Sequence, residues 1–237
     1  MDGIEPCASI EATIAGADLV ILAAPPLACL ELLDELAGPA RPSLADALIT
    51  DVASTKVQIV ERADAHGLRF VGGHPMAGRE ARGYASADAS LFRDRPWIVV
   101  RGRSSSDDDV DRVVALADAC GARASRMDAA EHDVAVALIS HAPLVVSAAL
   151  VEAATGRSEW PRARGLAAGG WAGMTRLALG DPEMGGGILA TNRAATADVL
   201  GAVRAAIDEW IDLLSDDDQG AELRSRLEHA RSEAALP

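Results

Sequence analysis

Aromatic side chains are almost missing. Four Trp, two Phe and one Tyr make up 3% of 237 residues, while 49% are hydrophobic, so Ala, Val, Leu and Ile must do the packing. Basic residues are scarce too. Twenty-two Lys and Arg against 36 Asp and Glu leave a net charge of -14. That balance argues against nucleic acid or an anionic membrane surface as partner. A carboxylate substrate stays open only through a local cluster of donors. Cys7, Cys29 and Cys120 are odd in number and scattered. They exclude a disulfide framework and a cysteine metal site, and read as reduced core thiols of a cytoplasmic protein. No signal peptide pattern is present. The run Ala17 to Ala24 is far short of the roughly 20 apolar residues a bilayer requires.

What is present is organised around Leu48 to Gly78. Two short apolar strands, Leu48 to Val52 and Phe70 to Gly73, each end in a polar turn. Between them a helical pattern carries Val57, Ile59, Val60 and Ala63 and stops at Gly67. In an open α/β sheet, ligands sit at the carboxyl ends of strands. Ser54, Lys56 and His74 stand at such ends. Upstream, Ile10 to Ala15 predict a short helix, Ala17 to Ala24 a strand buried on both faces, and Leu27 to Leu36 a helix with Pro26 in its first turn. Downstream, Arg79 to Ser90 predicts a loop or short helix, and Pro96 to Val100 a strand. A capped helix through Val110 to Ala117 and a last strand within Ala122 to Met127 follow. The alternation predicts a doubly wound sheet.

From Asp128 strand signals stop. Ala129 to Ala154 reads as one mostly apolar helix kinked at Pro143 and wanting burial on several sides, which points to a second subunit. Gly165 to Gly187 is glycine-rich around Trp171, Thr175 and Arg176. Ile188 to Leu214 and Ala221 to Ala235 predict amphipathic helices. The expected organisation is α/β then all-α: a partial Rossmann-like sheet over residues 1–127 and a helical dimerisation and substrate domain over 128–237.

Histidine at a strand end suits a general base near neutral pH, and His74 sits between a glycine pair and a proline. From position alone, a turn histidine bonding the main chain is the other reading. Ser54 reads as a helix cap, Lys56 as a solvated side chain, His141 as a satisfied core group, and Arg176 as a surface residue or a bidentate carboxylate holder. His132 lies nine residues before His141, two and a half turns away and on another face, so no metal site is expected on that helix.

Taken together, DVASTK from Asp51, HPMAG from His74 with Gly83 after it, HD at His132, SH at Ser140 and TR at Thr175 resemble the prephenate and arogenate dehydrogenase family. The resemblance runs from Ala17 to Asn192. It implies NAD- or NADP-dependent oxidative decarboxylation of prephenate or arogenate in tyrosine biosynthesis. His74 would accept the ring hydroxyl proton, with Ser54 beside hydroxyl and nicotinamide. Arg176, His141 and Lys56 would hold substrate. Ala24, Pro25, Pro26 and Ser54 would border the cofactor, and the C-terminal helices would form a homodimer. Three features depart from the pattern. No GxGxxG occurs anywhere, Leu144 stands where a second histidine is frequent, and Gly185 replaces a frequent aromatic. The expectation is a chain that continues upstream, with β-strand Leu19 to Ala24 exposed at an apolar edge and NAD(P) held poorly by these residues alone. A non-catalytic dimerisation or ligand-sensing relative is the other reading. A β-hydroxyacid-type dehydrogenase would need a lysine within 129–154, and none is there.

Overall fold

The computed structural model describes residues 5–78, 87–216 and 220–235. Gly83 and most of the polar segment after Gly78 lie outside them. Helix α1 (Ile10–Ile14) is capped by the Ser9 hydroxyl, and the chain then turns through Gly16 at φ +73°. There follow β1 (Leu19–Leu22), α2 (Pro26–Ala37), α3 (Arg41–Leu44), β2 (Leu48–Asp51), α4 (Val57–Ala65) and β3 (Phe70–Pro75). Next come β4 (Pro96–Arg101), α5 (Asp107–Ala119) and β5 (Arg123–Arg126).

The strands lie in the order β1-β2-β3-β4-β5. β1, β2 and β3 are parallel, β4 runs antiparallel to β3, and β5 is parallel to β4. The sheet is therefore mixed rather than wholly parallel. Alternate residues of a strand point to opposite faces. Ile49, Phe70, Ile98 and Val100 pack with Leu30 and Leu33 of α2 and Ile59 and Ala63 of α4. Leu48, Val71, Trp97 and Val99 pack instead with Val110, Val113 and Ala117 of α5. Both faces are covered, which is why all four residues of β2 are buried. β1 ends the sheet, and Ile21 on it is 45% exposed. Only Cys29 is a core thiol; Cys120 is half-buried and Cys7 is exposed.

The helical part begins with α6 (Ala129–Val136), a π turn (Ala137–His141) and α7 (Ala142–Thr155). The Ala142 N–H bonds back to the Ala137 carbonyl, five residues earlier. Pro143, in the first turn of α7, has no N–H to offer, so the expected disruption appears one turn ahead of it. These three segments form a run of 27 residues, Ala129–Thr155, whose most apolar 18-residue stretch has mean hydropathy 2.2 and is only 28% buried. By length and composition alone it could cross a membrane, which the shorter Ala17 to Ala24 run could not. Its other side carries the buried polar residues His132, Asp133 and His141.

Short elements follow: α8 (Trp160–Ala163), a 3-10 turn (Arg164–Leu166), α9 (Gly169–Thr175), a second 3-10 turn (Arg176–Leu179), α10 (Pro182–Thr191), α11 (Arg193–Leu214) and α12 (Gly220–Glu233). Ile188 to Leu214 is thus two helices, not one. They break at Asn192, whose φ of -130° and ψ of 44° leave the helical range. Its side chain is tied elsewhere, as described below. The residues up to Thr196 form one compact unit and those from Ala197 a second. Within the second, the Arg226 guanidinium lies 4.8 Å from the Trp210 ring centre.

Candidate active site

β2 and β3 run parallel and end side by side. Their carboxyl ends supply Asp51 and His74. The Asp51 carboxylate is fully buried and accepts the main-chain N–H groups of Ala53 and Gly73, each at 3.0 Å, together with the Lys56 ammonium. Lys56 has no exposed surface. This corrects the solvated reading, and it places the ammonium behind the site against Asp51 rather than in an open pocket. Gly73 permits the approach: a Cβ there would lie 2.6 Å from the Asp51 carbonyl oxygen and 2.9 Å from Trp97 Nε1.

Helix α4 is not capped by Ser54. It starts at Val57, and its leading N–H groups, those of Lys56 and Val57, donate to the two oxygens of Asp133 at 2.7 and 2.9 Å. A carboxylate at a helix N-terminus satisfies orphan donors and meets the positive end of the dipole. The cap comes from α6, 76 residues away in sequence, and so joins the helical part to the sheet. Ser54 is half-buried in the turn before α4.

The same carboxylate contacts His132 Nδ1 at 2.8 Å, and His132 Nε2 lies 2.8 Å from His74 Nδ1. The two rings meet edge to face, 5.0 Å between centres. His132 is 1% exposed, whereas His74 is partly open. Burial, then the Lys56 charge and the two neighbouring histidines, hold the His74 imidazole well below its ordinary pKa. It is therefore the neutral imidazole, with a single ring hydrogen, at neutral pH.

His141 is brought in by the π turn. Five residues at the wider pitch rotate it by about a quarter turn relative to an α-helical path. The nine-residue spacing from His132 consequently does not put the two on opposed faces. Asn192 Nδ2 donates to the Asp133 carbonyl at 2.7 Å and reaches His141 Nδ1 at 3.1 Å. That nitrogen must accept, which leaves the His141 hydrogen on Nε2 as a donor. Desolvation lowers its pKa to about 4, the Asp133 charge opposing. Thr191 donates to the Gly187 carbonyl at 2.8 Å and accepts from Thr55 at 2.9 Å, fastening α10 to the turn after β2.

Ala24 and Pro25 lie at the carboxyl end of β1, and Pro26 opens α2. The Ala24 carbonyl receives the Cys29 thiol at 3.3 Å, and Ala24 lines an apolar hollow of about 310 Å³ with Ile10, Val20 and Leu32. Arg176 opens the 3-10 turn packed on α7 and is exposed. An open, mostly apolar cavity of about 670 Å³ lies among Gly78, Leu144, Leu177, Ala178, Asp181 and Met184. Gly78 is four residues past His74, and Leu177 adjoins Arg176, so the segments bearing both residues border one space. Gly185 and Leu144 face each other on its wall: a Cβ at Gly185 would stand 3.4 Å from Leu144 Cδ2.

Sequence reasoning did not single out Asp51, His132, Asp133, Thr191 or Asn192 as members of this cluster. The visible signals were the DVASTK motif, which opens on Asp51, and the adjacent His132-Asp133 pair.

Comparison with known proteins agrees with this arrangement. Residues 3–126 match the family model described as prephenate dehydrogenase, nucleotide-binding domain, and residues 128–229 the one described as prephenate dehydrogenase, dimerization domain. The prephenate dehydrogenase of Bacillus subtilis (strain 168) is 36% identical over 197 residues, covering 81% of this chain and 50% of its own length. That of Lactococcus lactis subsp. cremoris is 33% identical over 199 residues, again 81% of this chain and 53% of its own. The chain spans about half the length of these curated relatives. The crystal structure of Synechocystis arogenate dehydrogenase superposes with a TM-score of 0.80 at 31% identity, over 94% of this chain and 80% of that one. With two adjoining domain matches across nearly its whole length, and the DVASTK and HPMAG turns side by side at the strand ends, the chain belongs to the prephenate dehydrogenase family.

Proposed function

We propose that the protein is an oxidoreductase that converts prephenate to 4-hydroxyphenylpyruvate with NAD or NADP, in tyrosine biosynthesis. The observation that carries this reading is His74: a neutral imidazole at the carboxyl end of β3, backed by His132 and partly open. His74 takes the proton of the ring hydroxyl. The bound nicotinamide supplies the hydride acceptor. As the ring carbon loses hydride, the carboxylate leaves as carbon dioxide and the ring becomes aromatic, so the protein need only orient the reactants and place a base. His141 Nε2–H offers a neutral donor, and Arg176 provides the charge for a substrate carboxylate.

The residues present fit the reactive end of such a cofactor. Ala23, Ala24 and Pro25 leave the carboxyl end of β1 free of bulk, and Ser54 and His74 stand at the ends of the next two strands. No GxGxxG occurs among the 237 residues, and none of them is assigned to the phosphates.

The protein works as a cytoplasmic homodimer. The 27-residue apolar helix leaves Val134, Leu138 and Ile139 more than half exposed, and residues 128–229 match a dimerization domain. A second copy is a better cover than lipid, because the buried side of the helix carries His132, Asp133 and His141. Arogenate is the second substrate reading, favoured by the likeness to the Synechocystis enzyme. The test is production of reduced cofactor by the purified protein with each substrate and each cofactor, alongside His74→Asn. Turnover abolished in the variant with unchanged circular dichroism is the expected result. Equal rates in both proteins, or none with any combination, overturn the reading.

A further inference from the structure

We propose that Asp133 and His132 are positioning residues that decide which nitrogen of His74 is the base. Both oxygens of Asp133 face main-chain N–H groups, those of Lys56 and Val57, which can only donate. Two such donations at the N-terminus of α4 suit the anionic form of a carboxyl, so Asp133 is ionised and accepts everywhere. Its 2.8 Å contact with His132 is therefore a donation from His132 Nδ1. A singly protonated ring has then spent its hydrogen, and His132 Nε2 presents a lone pair. The 2.8 Å contact with His74 requires one hydrogen, which must sit on His74 Nδ1. The lone pair of His74 is thereby assigned to Nε2, the nitrogen turned away from His132. Which ring nitrogen carries the proton is set by the partner of the other one, and here two residues removed from the reacting atoms set it.

The chain does a second thing. When His74 Nε2 takes a proton from a hydroxyl oxygen, the ring becomes a cation whose Nδ1–H still points at His132. His132 in turn keeps its Nδ1–H on the Asp133 carboxylate, so the new charge faces an anion across one polarisable ring. Asp133 alone could be explained as the cap of α4. His132 could not, because it touches neither end of that helix and its buried ring has polar partners on both nitrogens. The catalytic consequence rests on His74 being the base; the tautomer does not.

The test begins with nitrogen-15 magnetic resonance of histidine-labelled protein at neutral pH, the His74 signals being identified by their loss in His74→Asn. The expected spectrum has His74 protonated on Nδ1 and bare on Nε2. In His132→Phe the hydrogen is released to Nε2 and the pattern inverts or averages. A native spectrum with the hydrogen on Nε2 overturns the proposal, whether or not any variant folds. In the oxidation assay, His132→Phe is expected to lower kcat about 10²- to 10⁴-fold with KM changed less than about threefold. A kcat within about threefold of native overturns the catalytic part. If no substrate turns over at all, the functional reading fails while the spectrum still decides the tautomer.

Discussion

Replacing Lys56 by Met isolates the worth of the buried charge beneath the site. The two side chains are similar in length, and the Lys56 stem packs close to Gly72, where a Cβ would lie 3.2 Å from Lys56 Cδ. Met fills that channel but leaves Asp51 without its cation. Removing one partner of a buried pair costs about 3–5 kcal/mol. Two considerations narrow the range. The carboxylate keeps the N–H groups of Ala53 and Gly73, so it is not stripped of partners. It can also shed its charge by taking up a proton, which for an ordinary aspartate costs about 4 kcal/mol at pH 7. The expected loss is therefore about 3–4 kcal/mol. The escape by protonation carries a sign: the folded variant then binds the extra proton, so its deficit shrinks as pH falls, by up to about 1.4 kcal/mol per unit. In Asp51→Asn/Lys56→Met neither charge remains. The amide accepts from only one of the two N–H groups, and the double variant should lie about 1–3 kcal/mol below native. Urea unfolding followed by circular dichroism at pH 7 and pH 5.5 measures all three proteins. A deficit under about 1 kcal/mol for Lys56→Met, or a double variant no more stable than the single one, would refute the reasoning.

Acid should weaken the fold. His74 and His141 have folded pKa values below the ordinary 6.5, His141 at about 4, so the unfolded chain binds more protons in that interval. Stability is then highest above pH 6.5 and falls as the pH drops toward 4, with about 1–2 kcal/mol from His141 at pH 5. His141→Gln should flatten that slope, and identical urea midpoints at pH 7 and pH 5 in the native protein would contradict it. Gly73→Ala drives a methyl against the Asp51 carbonyl and the Trp97 indole and should lower Tm by about 4–8 °C, corresponding to about 2 kcal/mol; a change under 2 °C in a melting curve would argue that the strand ends can part. Ile139→Asp alters a residue 66% exposed, so it should leave the melting curve intact while shifting the light-scattering mass from dimer to monomer. An unchanged mass at micromolar concentration would remove that helix from the interface.

The order of elements was determined locally. Continuous apolar runs such as Leu19 to Ala24, the Ser106 cap before α5, the glycine stops at Gly16, Gly67 and Gly121, and the prolines opening α2 and α7 all act over a few residues, so spacing alone reveals them. The motifs around Asp51 and His74 were legible for the same reason. The direction of β4, the burial of Lys56 and the membership of Asp133 and Asn192 were not. Each depends on contacts 20 to 80 residues apart: Asp51 with Gly73, Asp133 with Lys56 and Val57, Asn192 with His141. Only tertiary packing excludes water from these groups, and exclusion of water is what makes a lysine seek an aspartate, leaves an imidazole neutral and turns a one-residue π insertion into a change of neighbours. Helical spacing assigned His132 and His141 to different faces because it assumed an unbroken α-helix. The folded chain departs from that assumption at the turn where Pro143 withholds an N–H and the buried polar groups find their partners.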